Sequence, residues 1–91
     1  MAYTVYIVEC ADGSLYTGIA ADLGRRLDAH NGLKPRGARY TSARRPVVLV
    51  YEAAFATRSD ALKEEFRLKR LSRAEKLDLI AVARATIAQR P

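Results

Sequence analysis

A short hairpin near the start of the chain constrains the fold more than any other stretch of the sequence. The segment VYIVECADGSLYTG, residues 5 to 18, has two apolar runs separated by Ala-Asp-Gly. Val, Ile, Tyr and Thr favour strands, and Asp-Gly between two such runs is a strong turn signal. The pattern therefore predicts two antiparallel strands, over residues 3–10 and 14–19.

The length of the hairpin loop decides which side chains share a face of the sheet. A two-residue loop would pair Glu9 with Tyr16 and put Tyr6 and Tyr16 on opposite faces, because side chains alternate along a strand. A three-residue loop with Gly13 at positive φ pairs Tyr6 with Gly18, and both tyrosines then share a face. We predict this second register because it gathers the apolar and β-branched side chains on the other face: Val5, Ile7, Leu15, Thr17 and Ile19.

The rest of the chain predicts three helices and one further strand, in the order β-β-α-β-α-α, within a single domain of 91 residues. The third strand is apolar on both faces, as a central strand would be. A Ser-x-x-Glu capping box opens the last helix. The predicted ranges are a helix from Ala20 to about His30, a strand from about Val47 to Ala53, a helix from Thr57 or Ser59 through Arg70, and a helix from Ser72 through about Ala88.

The composition of the chain indicates which class of partner it binds and in which cellular compartment it is found. Sixteen Lys and Arg against ten Asp and Glu give a net charge of +6, which favours a polyanion such as nucleic acid or an anionic membrane surface. One Cys and one His cannot make an internal disulfide or a structural zinc site. There is no signal-peptide pattern and no run of apolar residues long enough to cross a bilayer. We expect a soluble cytoplasmic protein.

Two tyrosine triplets and the residues that follow them carry a family resemblance. Tyr16-Thr17-Gly18 ends a strand, Arg26 follows it, and His30 lies one helical turn further. With Thr4-Val5-Tyr6 as the first triplet, the sequence resembles the GIY-YIG nuclease superfamily, and most of all its small single-domain bacterial members. DLGRRLDAHN resembles the Arg helix of the family and SDALKEEFRLKRLSRAEKL its Glu helix. The first triplet keeps only its tyrosine, and the second has Thr17 in the middle.

The resemblance implies both a fold and an activity. The fold is α/β, a small three-stranded antiparallel sheet flanked by helices. The activity is endonucleolytic hydrolysis of phosphodiester bonds in DNA with Mg²⁺ or Mn²⁺, structure-specific in repair or recombination, with a protein partner supplying target choice. DNA is favoured over RNA as substrate, and no membrane is involved. The implied site residues are Tyr6, Tyr16, Arg26 and His30 as catalytic groups and Glu65 as the metal ligand.

Each implied role has a physical rationale and a structural alternative. A Tyr whose pKa is lowered by a nearby cation can act as a base or relay a proton, and Arg matches phosphate oxygens with a planar fork of donors. Against this, strand tyrosines commonly serve packing. Arg26 could pair with Asp22 on the helix surface, and His30 could face solvent.

Helical geometry separates Glu65 from its neighbour Glu64. Glu65 shares a row with Ala61 and Leu68 and is expected to face the protein body, whereas Glu64 lies in a row expected to face solvent. One carboxylate with several waters is an ordinary Mg²⁺ arrangement. An ion pair between Glu65 and an Arg is the structural alternative.

A run without acidic residues lies between Asp28 and Glu52. Its cations form a candidate track for phosphates, and an interleaved Tyr could stack on a base. A solvated basic loop is the alternative. The candidate nucleic-acid contacts are Lys34, Arg36, Arg39, Tyr40, Arg44 and Arg45.

Two other functions fit parts of the sequence. A nucleic-acid-binding module with weak or partner-dependent cleavage would explain the lack of a second domain. A basic interaction protein would fit the composition but not the paired triplets.

The candidate phosphate track predicts a change in the salt dependence of DNA binding. Replacing Arg36, Arg39 and Arg44 with Ala should lower the slope of log K against log salt by roughly three units, at about 0.9 for each lost phosphate contact on duplex DNA. A titration of affinity against salt measures this slope. An unchanged slope would show that the loop cations are solvated.

Overall fold

The protein is described here by a computed structural model that covers residues 2–31 and 44–88. Within these residues the element order is β-β-α-β-α-α, as the sequence predicts. The three strands form one antiparallel sheet, which confirms the predicted fold class. The elements are β1 (Tyr3–Cys10), β2 (Leu15–Ala20), α1 (Leu23–His30), β3 (Val47–Phe55), α2 (Arg58–Lys69) and α3 (Arg73–Ala88).

The β1–β2 hairpin has the predicted three-residue loop. Tyr6 lies opposite Gly18, and Val8 lies opposite Tyr16. Gly13 has φ 84°, a left-handed conformation that glycine adopts without steric cost. The loop closes with a hydrogen bond from the Gly13 N–H to the Cys10 carbonyl at 2.9 Å. This register puts Tyr6 and Tyr16 on the same face of the sheet.

The strand order is β2-β1-β3, so β1 is the central strand. The prediction that the third strand is central is wrong, because β3 lies at an edge among the described strands and Val48 is 60% exposed. Its apolar run has another reason. Leu49 packs into one core layer while Val50 and Tyr51 pack into the other, so an edge strand of a sheet covered on both faces is also apolar on both faces.

The sheet separates two core layers. Under α2 and α3, Val5 and Ile7 of β1 pack with Ala61, Leu68 and Ile80. On the other face, the fully buried side chains of Tyr6 and Val8 pack in a cluster to which Leu23 and Leu27 of α1 contribute. Alternate residues of β1 therefore serve opposite layers, and the Tyr6 layer is the one that α1 covers.

Side-chain caps set the helix boundaries. Helix α1 begins at Leu23 and not at Ala20, because Asp22 accepts a hydrogen bond from the Arg25 N–H at 3.0 Å and so caps the helix. Thr57 caps α2 in the same way. At the start of α3 the Ser72 and Glu75 side chains each bond the other residue's N–H, which is the predicted capping box. Among the described residues, no helix has the length and apolar character needed to cross a bilayer.

Candidate active site

Tyr6 of β1 and Gly18 of β2 are buried opposite each other in the candidate site. The Tyr6 side chain is fully buried and folds over Gly18, its partner on β2. A Cβ atom at Gly18 would lie 2.5 Å from the Tyr6 Oη and 2.6 Å from its Cζ. These separations are too short for any residue larger than glycine. The glycine of the second triplet is therefore needed because it makes room for the tyrosine of the first.

His30 lies against both tyrosines at the end of α1. Its side chain is fully buried, and its Nε2 lies 2.6 Å from the Tyr6 Oη. The imidazole ring packs edge-on against Tyr6 and Tyr16, with centroid separations of 5.7 and 5.3 Å. The alternative that His30 faces solvent is thus wrong, and the structure brings together three of the predicted site residues.

The protonation states of Tyr6 and His30 follow from burial. Burial, with help from the Arg26 and Arg45 charges, lowers the pKa of His30 from 6.5 to about 4, so the imidazole is neutral at pH 7. Burial also raises the pKa of Tyr6, although a hydrogen bond from Arg26 opposes that rise. Arg26 therefore acts on this pKa in the expected direction, but desolvation outweighs it. We therefore assign the 2.6 Å contact as the Tyr6 hydroxyl donating to Nε2.

Arg26 joins the two tyrosines from α1. Its guanidinium hydrogen-bonds with Tyr6 and Tyr16, and the bond with Tyr6 is the main reason that the pKa of Arg26 is raised. The side chain is half-buried, whereas its neighbour Arg25 is exposed. A cation that remains charged therefore lies beside the two phenol groups and is only partly covered. This position suits a contact with a phosphate oxygen.

Glu65 lies on α2, which packs against both strands of the hairpin. Its charge is among the influences that raise the pKa of Tyr6. The expectation that Glu64 faces solvent is wrong, because the side chains of Glu64 and Glu65 are similarly covered, at 16% and 17% exposure. What distinguishes them is their neighbours. Glu64 bonds Arg67 and raises the pKa of Tyr51, whereas Glu65 lies 3.5 Å from the Lys69 Nζ. Glu65 therefore forms an ion pair, as in the structural alternative, but its partner is Lys69 and not an arginine.

Two residues position the end of α1, and the sequence reading missed this role for both. The Asn31 side chain accepts a hydrogen bond from the Val47 N–H at 2.7 Å and donates one to the Val47 carbonyl at 3.2 Å. The Arg45 Nε donates to the His30 carbonyl at 2.7 Å. By sequence, Asn31 followed by Gly32 indicates only the end of a helix. The signal that could have shown more is an amide directly after the site histidine, since it can pair with a strand as a peptide group does.

The candidate phosphate track is described only at its C-terminal end. Arg44 forms a salt bridge with Asp12 at 3.0 Å, and Arg45 bonds the His30 carbonyl. Both cations therefore have a structural role beside the hairpin loop or the site. The other four predicted contacts lie outside the described residues and stay predictions: Lys34, Arg36, Arg39 and Tyr40.

Glu65 is the predicted metal ligand. No group of three or more His, Cys, Asp or Glu residues suited to a metal occurs in the ranges 2–31 and 44–88. Mg²⁺ commonly binds through one or two carboxylates, keeps several waters and takes its remaining ligands from substrate phosphate. Glu65, half-buried and held by a single ammonium contact, fits that role.

Comparison with known proteins shows the family of the chain. The GIY-YIG catalytic domain family matches residues 2–78. A UPF0213 protein of Staphylococcus aureus is 51% identical over 79 residues, which cover 87% of this chain and 94% of the relative. A UPF0213 protein of Staphylococcus saprophyticus is 53% identical over 77 residues, which cover 85% of this chain and 92% of the relative.

Solved structures give the same result. The solution NMR structure of a UPF0213 protein from Bacillus halodurans superposes with a TM-score of 0.59 at 43% identity, covering 90% of this chain and 85% of that one. The solution NMR structure of an E. faecalis protein superposes with a TM-score of 0.62 at 32% identity, covering 93% and 88%. The fold is therefore that of a small α/β nuclease-like domain. The chain belongs to the GIY-YIG family and resembles its small UPF0213 members, as the tyrosine triplets predict.

The close approach of Tyr6 to Gly18 predicts that Gly18→Ala is destabilising. The added methyl group must displace the Tyr6 ring, and overpacking of this kind costs about 1–3 kcal/mol. Gly24→Ala is the matched control, because a Cβ there meets only Asp22 Oδ1 at 3.7 Å. Gly24 lies in the first turn of α1, so this control should leave stability unchanged or raise it slightly. Urea unfolding measures both changes, and equal stability of Gly18→Ala and wild type would refute the packing argument.

The burial of His30 predicts a pH dependence of stability. Above pH 6.5 both states hold a neutral imidazole, whereas between 6.5 and about 4 only the unfolded chain takes up the proton. The free energy of unfolding should therefore fall by about 2 kcal/mol between pH 7 and 5 through this group alone.

Two measurements test this pH dependence. Because the chain has one histidine, its imidazole C–H resonances in NMR give the folded-state pKa directly. His30→Asn, unfolded in urea at the two pH values, should lack this part of the dependence. A midpoint between pH 6 and 7 in the folded protein would contradict the buried, neutral assignment.

Proposed function

We propose that this protein is a metal-dependent endonuclease that hydrolyses phosphodiester bonds in DNA. The observation that carries the proposal is the 2.6 Å contact between the Tyr6 Oη and the Nε2 of a neutral, buried His30, with Arg26 bonded to the same hydroxyl. This arrangement combines a proton acceptor, a hydroxyl relay and a fixed cation on one face of the sheet. Membership of the GIY-YIG family supports a nucleic acid as the substrate.

Tyr6 and His30 together can activate the attacking water. In the proposed step a water gives a proton to the Tyr6 Oη while the Tyr6 hydroxyl proton moves to His30 Nε2. The resulting hydroxide attacks phosphorus, the bond from phosphorus to the leaving oxygen breaks, and a second water protonates that oxygen. A relay fits the raised pKa of Tyr6 better than a free tyrosinate does. The step needs neutral His30, which its lowered pKa provides at pH 7.

Arg26 and Tyr16 can hold the phosphate. Arg26 is half-buried beside both tyrosines and can turn donors toward the non-bridging oxygens, where charge increases in the transition state. Tyr16 is also half-buried, and its hydroxyl shares the Arg26 hydrogen bonds. The substrate would replace part of the existing contacts between Arg26 and the tyrosines. The cation is therefore already oriented before the phosphate binds.

Glu65 would hold the metal. A divalent cation bound there supplies Lewis-acid stabilisation of the negative charge on the phosphate and leaving oxygen. The carboxylate is half-buried, acts electrostatically on Tyr6 and is paired only loosely with Lys69 at 3.5 Å. Metal binding would release Lys69 from this pair, and the freed ammonium could contact the substrate backbone.

A second candidate function is a nucleic-acid-binding module that cleaves weakly or only with a partner. The observation that favours it is that the polar groups of the site already satisfy one another. Tyr6 bonds His30 and Arg26, and Glu65 has Lys69. In that case the site would need a partner or a distorted substrate to release these contacts.

Glu65→Gln tests the enzyme against the binding module. The substitution removes the ligand charge but keeps the shape, so cleavage with Mg²⁺ or Mn²⁺ should fall by orders of magnitude while DNA affinity stays level or rises slightly. Glu64→Gln is the matched control because it is the same chemical change at equal burial, next to Tyr51 instead of Tyr6. Its cleavage should stay close to wild type.

The assay uses a panel of nicked, flapped, branched, single-stranded and RNA substrates, with metal or with EDTA, and an affinity titration for each variant. Arg26→Ala should lose cleavage and weaken binding, while its exposed neighbour Arg25→Ala should change cleavage little. Tyr6→Phe should keep binding and lose cleavage. Binding by wild type without cleavage of any substrate would favour the binding module, and equal cleavage by Glu65→Gln and Glu64→Gln would refute the metal site.

A further inference from the structure

An exposed apolar and basic surface lies on α2, outside the site described above. Phe66 is 64% exposed and Leu62 is 40% exposed, although both are large apolar side chains. The Arg70 guanidinium carbon lies 5.5 Å from the centroid of the Phe66 ring. Leu62, Phe66 and Arg70 are spaced four residues apart, so they form one stripe along the helix. We refer to these three residues as the Phe66 stripe.

The Phe66 stripe lies on the same side of α2 as Glu65. Each residue turns the helix by about 100°, and the row of Ala61 and Leu68 faces the core. Starting from this row, one direction around the helix leads past Glu65 to Lys69 and then to Leu62 and Phe66. The opposite direction leads past Glu64 to Arg67. Helix α2 packs against β1 and β2, the strands that carry Tyr6 and Tyr16. The charge of Glu65 acts on Tyr6, whereas Glu64 on the opposite side of the helix acts on Tyr51 of β3, so the stripe lies on the β2 side of α2.

The charges around the stripe favour an anionic partner. Lys63, Lys69 and Arg70 lie on or next to it along α2, and the net charge of the whole chain is +6. An isolated exposed Leu needs no explanation, but an exposed ring with a guanidinium against it combines two groups that contact single-stranded nucleic acid. The ring offers a stacking face for a base, and the cations offer contacts for the flanking phosphates.

We propose that Phe66 stacks on an unpaired base next to the phosphate that the site holds, so that the preferred substrate is DNA with a single-stranded segment at the point of cleavage. The bases of an intact duplex are already stacked on each other, so only an unpaired base can place its face on the ring. Arg70 and Lys69 contact the phosphates on either side of that base. The proposal rests on the proposed function, since it takes the bound phosphate at Tyr6 and Arg26 as its starting point.

The absence of tryptophan from the chain gives a direct test. Phe66→Trp introduces a single fluorophore at the proposed stacking position, and a saturating oligothymidylate in EDTA should quench its emission. Val82→Trp is the matched control, because Val82 is also 64% exposed but lies on α3, which packs against β3. Emission from Val82→Trp should not change. Quenching in Phe66→Trp alone would support stacking, and no quenching at saturation would overturn it.

Affinity measurements separate stacking from simple hydrophobic contact. Phe66→Leu keeps an apolar side chain and removes the ring, so both it and Phe66→Ala should weaken binding of the oligothymidylate by roughly tenfold in EDTA. Binding of a blunt duplex should change less than twofold in either variant. Wild-type affinity of Phe66→Leu for the single strand, or an equal loss on the duplex, would overturn the proposal.

Other partners would give distinct results. Quenching or a blue shift of Phe66→Trp with phosphatidylglycerol vesicles but not with the oligonucleotide would replace the proposal with a membrane surface. A rise in molar mass with protein concentration that Phe66→Ala abolishes would replace it with self-association.

Cleavage that depends on Glu65 but not on Phe66 would overturn this inference alone. Stacking without any cleavage would overturn the nuclease function and leave the base contact supported.

Discussion

The contact between Tyr6 and His30 depends on a space that only glycine can leave on the neighbouring strand. Gly18 lies opposite Tyr6, and the phenol ring occupies the place of the missing side chain. That position brings the hydroxyl within 2.6 Å of an imidazole on α1, so strand β1 and helix α1 share one buried hydrogen bond. Arg26 is placed by the same helix one turn earlier. The chemistry of the site is thus a direct consequence of strand register.

The two faces of the sheet pack against different kinds of side chains. Val5 and Ile7 pack under α2 and α3 in a mainly apolar layer that also contains the buried Thr17, whereas Tyr6 of the same strand enters a layer that holds His30. In that second layer each buried polar atom needs a partner, and Tyr6, His30 and Arg26 provide partners for one another. Burial also sets their protonation states, because desolvation is the largest influence on both Tyr6 and His30.

The sequence predicts the strand pairing well because loop length and alternation leave few registers for the hairpin. The same reasoning fails for the position of β3, since an apolar run on both faces indicates two cores and does not distinguish a central strand from an edge strand. At the site, triplets and spacing indicate Tyr6, Tyr16, Arg26 and Glu65. They do not indicate that His30 is buried, that burial outweighs a cation at Tyr6, or that Glu64 is as covered as Glu65. These properties depend on tertiary packing that no local pattern records.

The pairing of Asn31 with Val47 also matters for how such a domain can change during evolution. The Asn31 side chain and Arg45 hold the residues on either side of segment 32–44 to the same small region of backbone. With both flanks fixed, the entropy of closing the segment grows only slowly with its length, by about 0.6 kcal/mol for each doubling. Insertions and deletions between Asn31 and Arg45 should therefore change the free energy of folding little and leave His30 in place. The sequence between these two residues can therefore change while the contact between Tyr6 and His30 is retained.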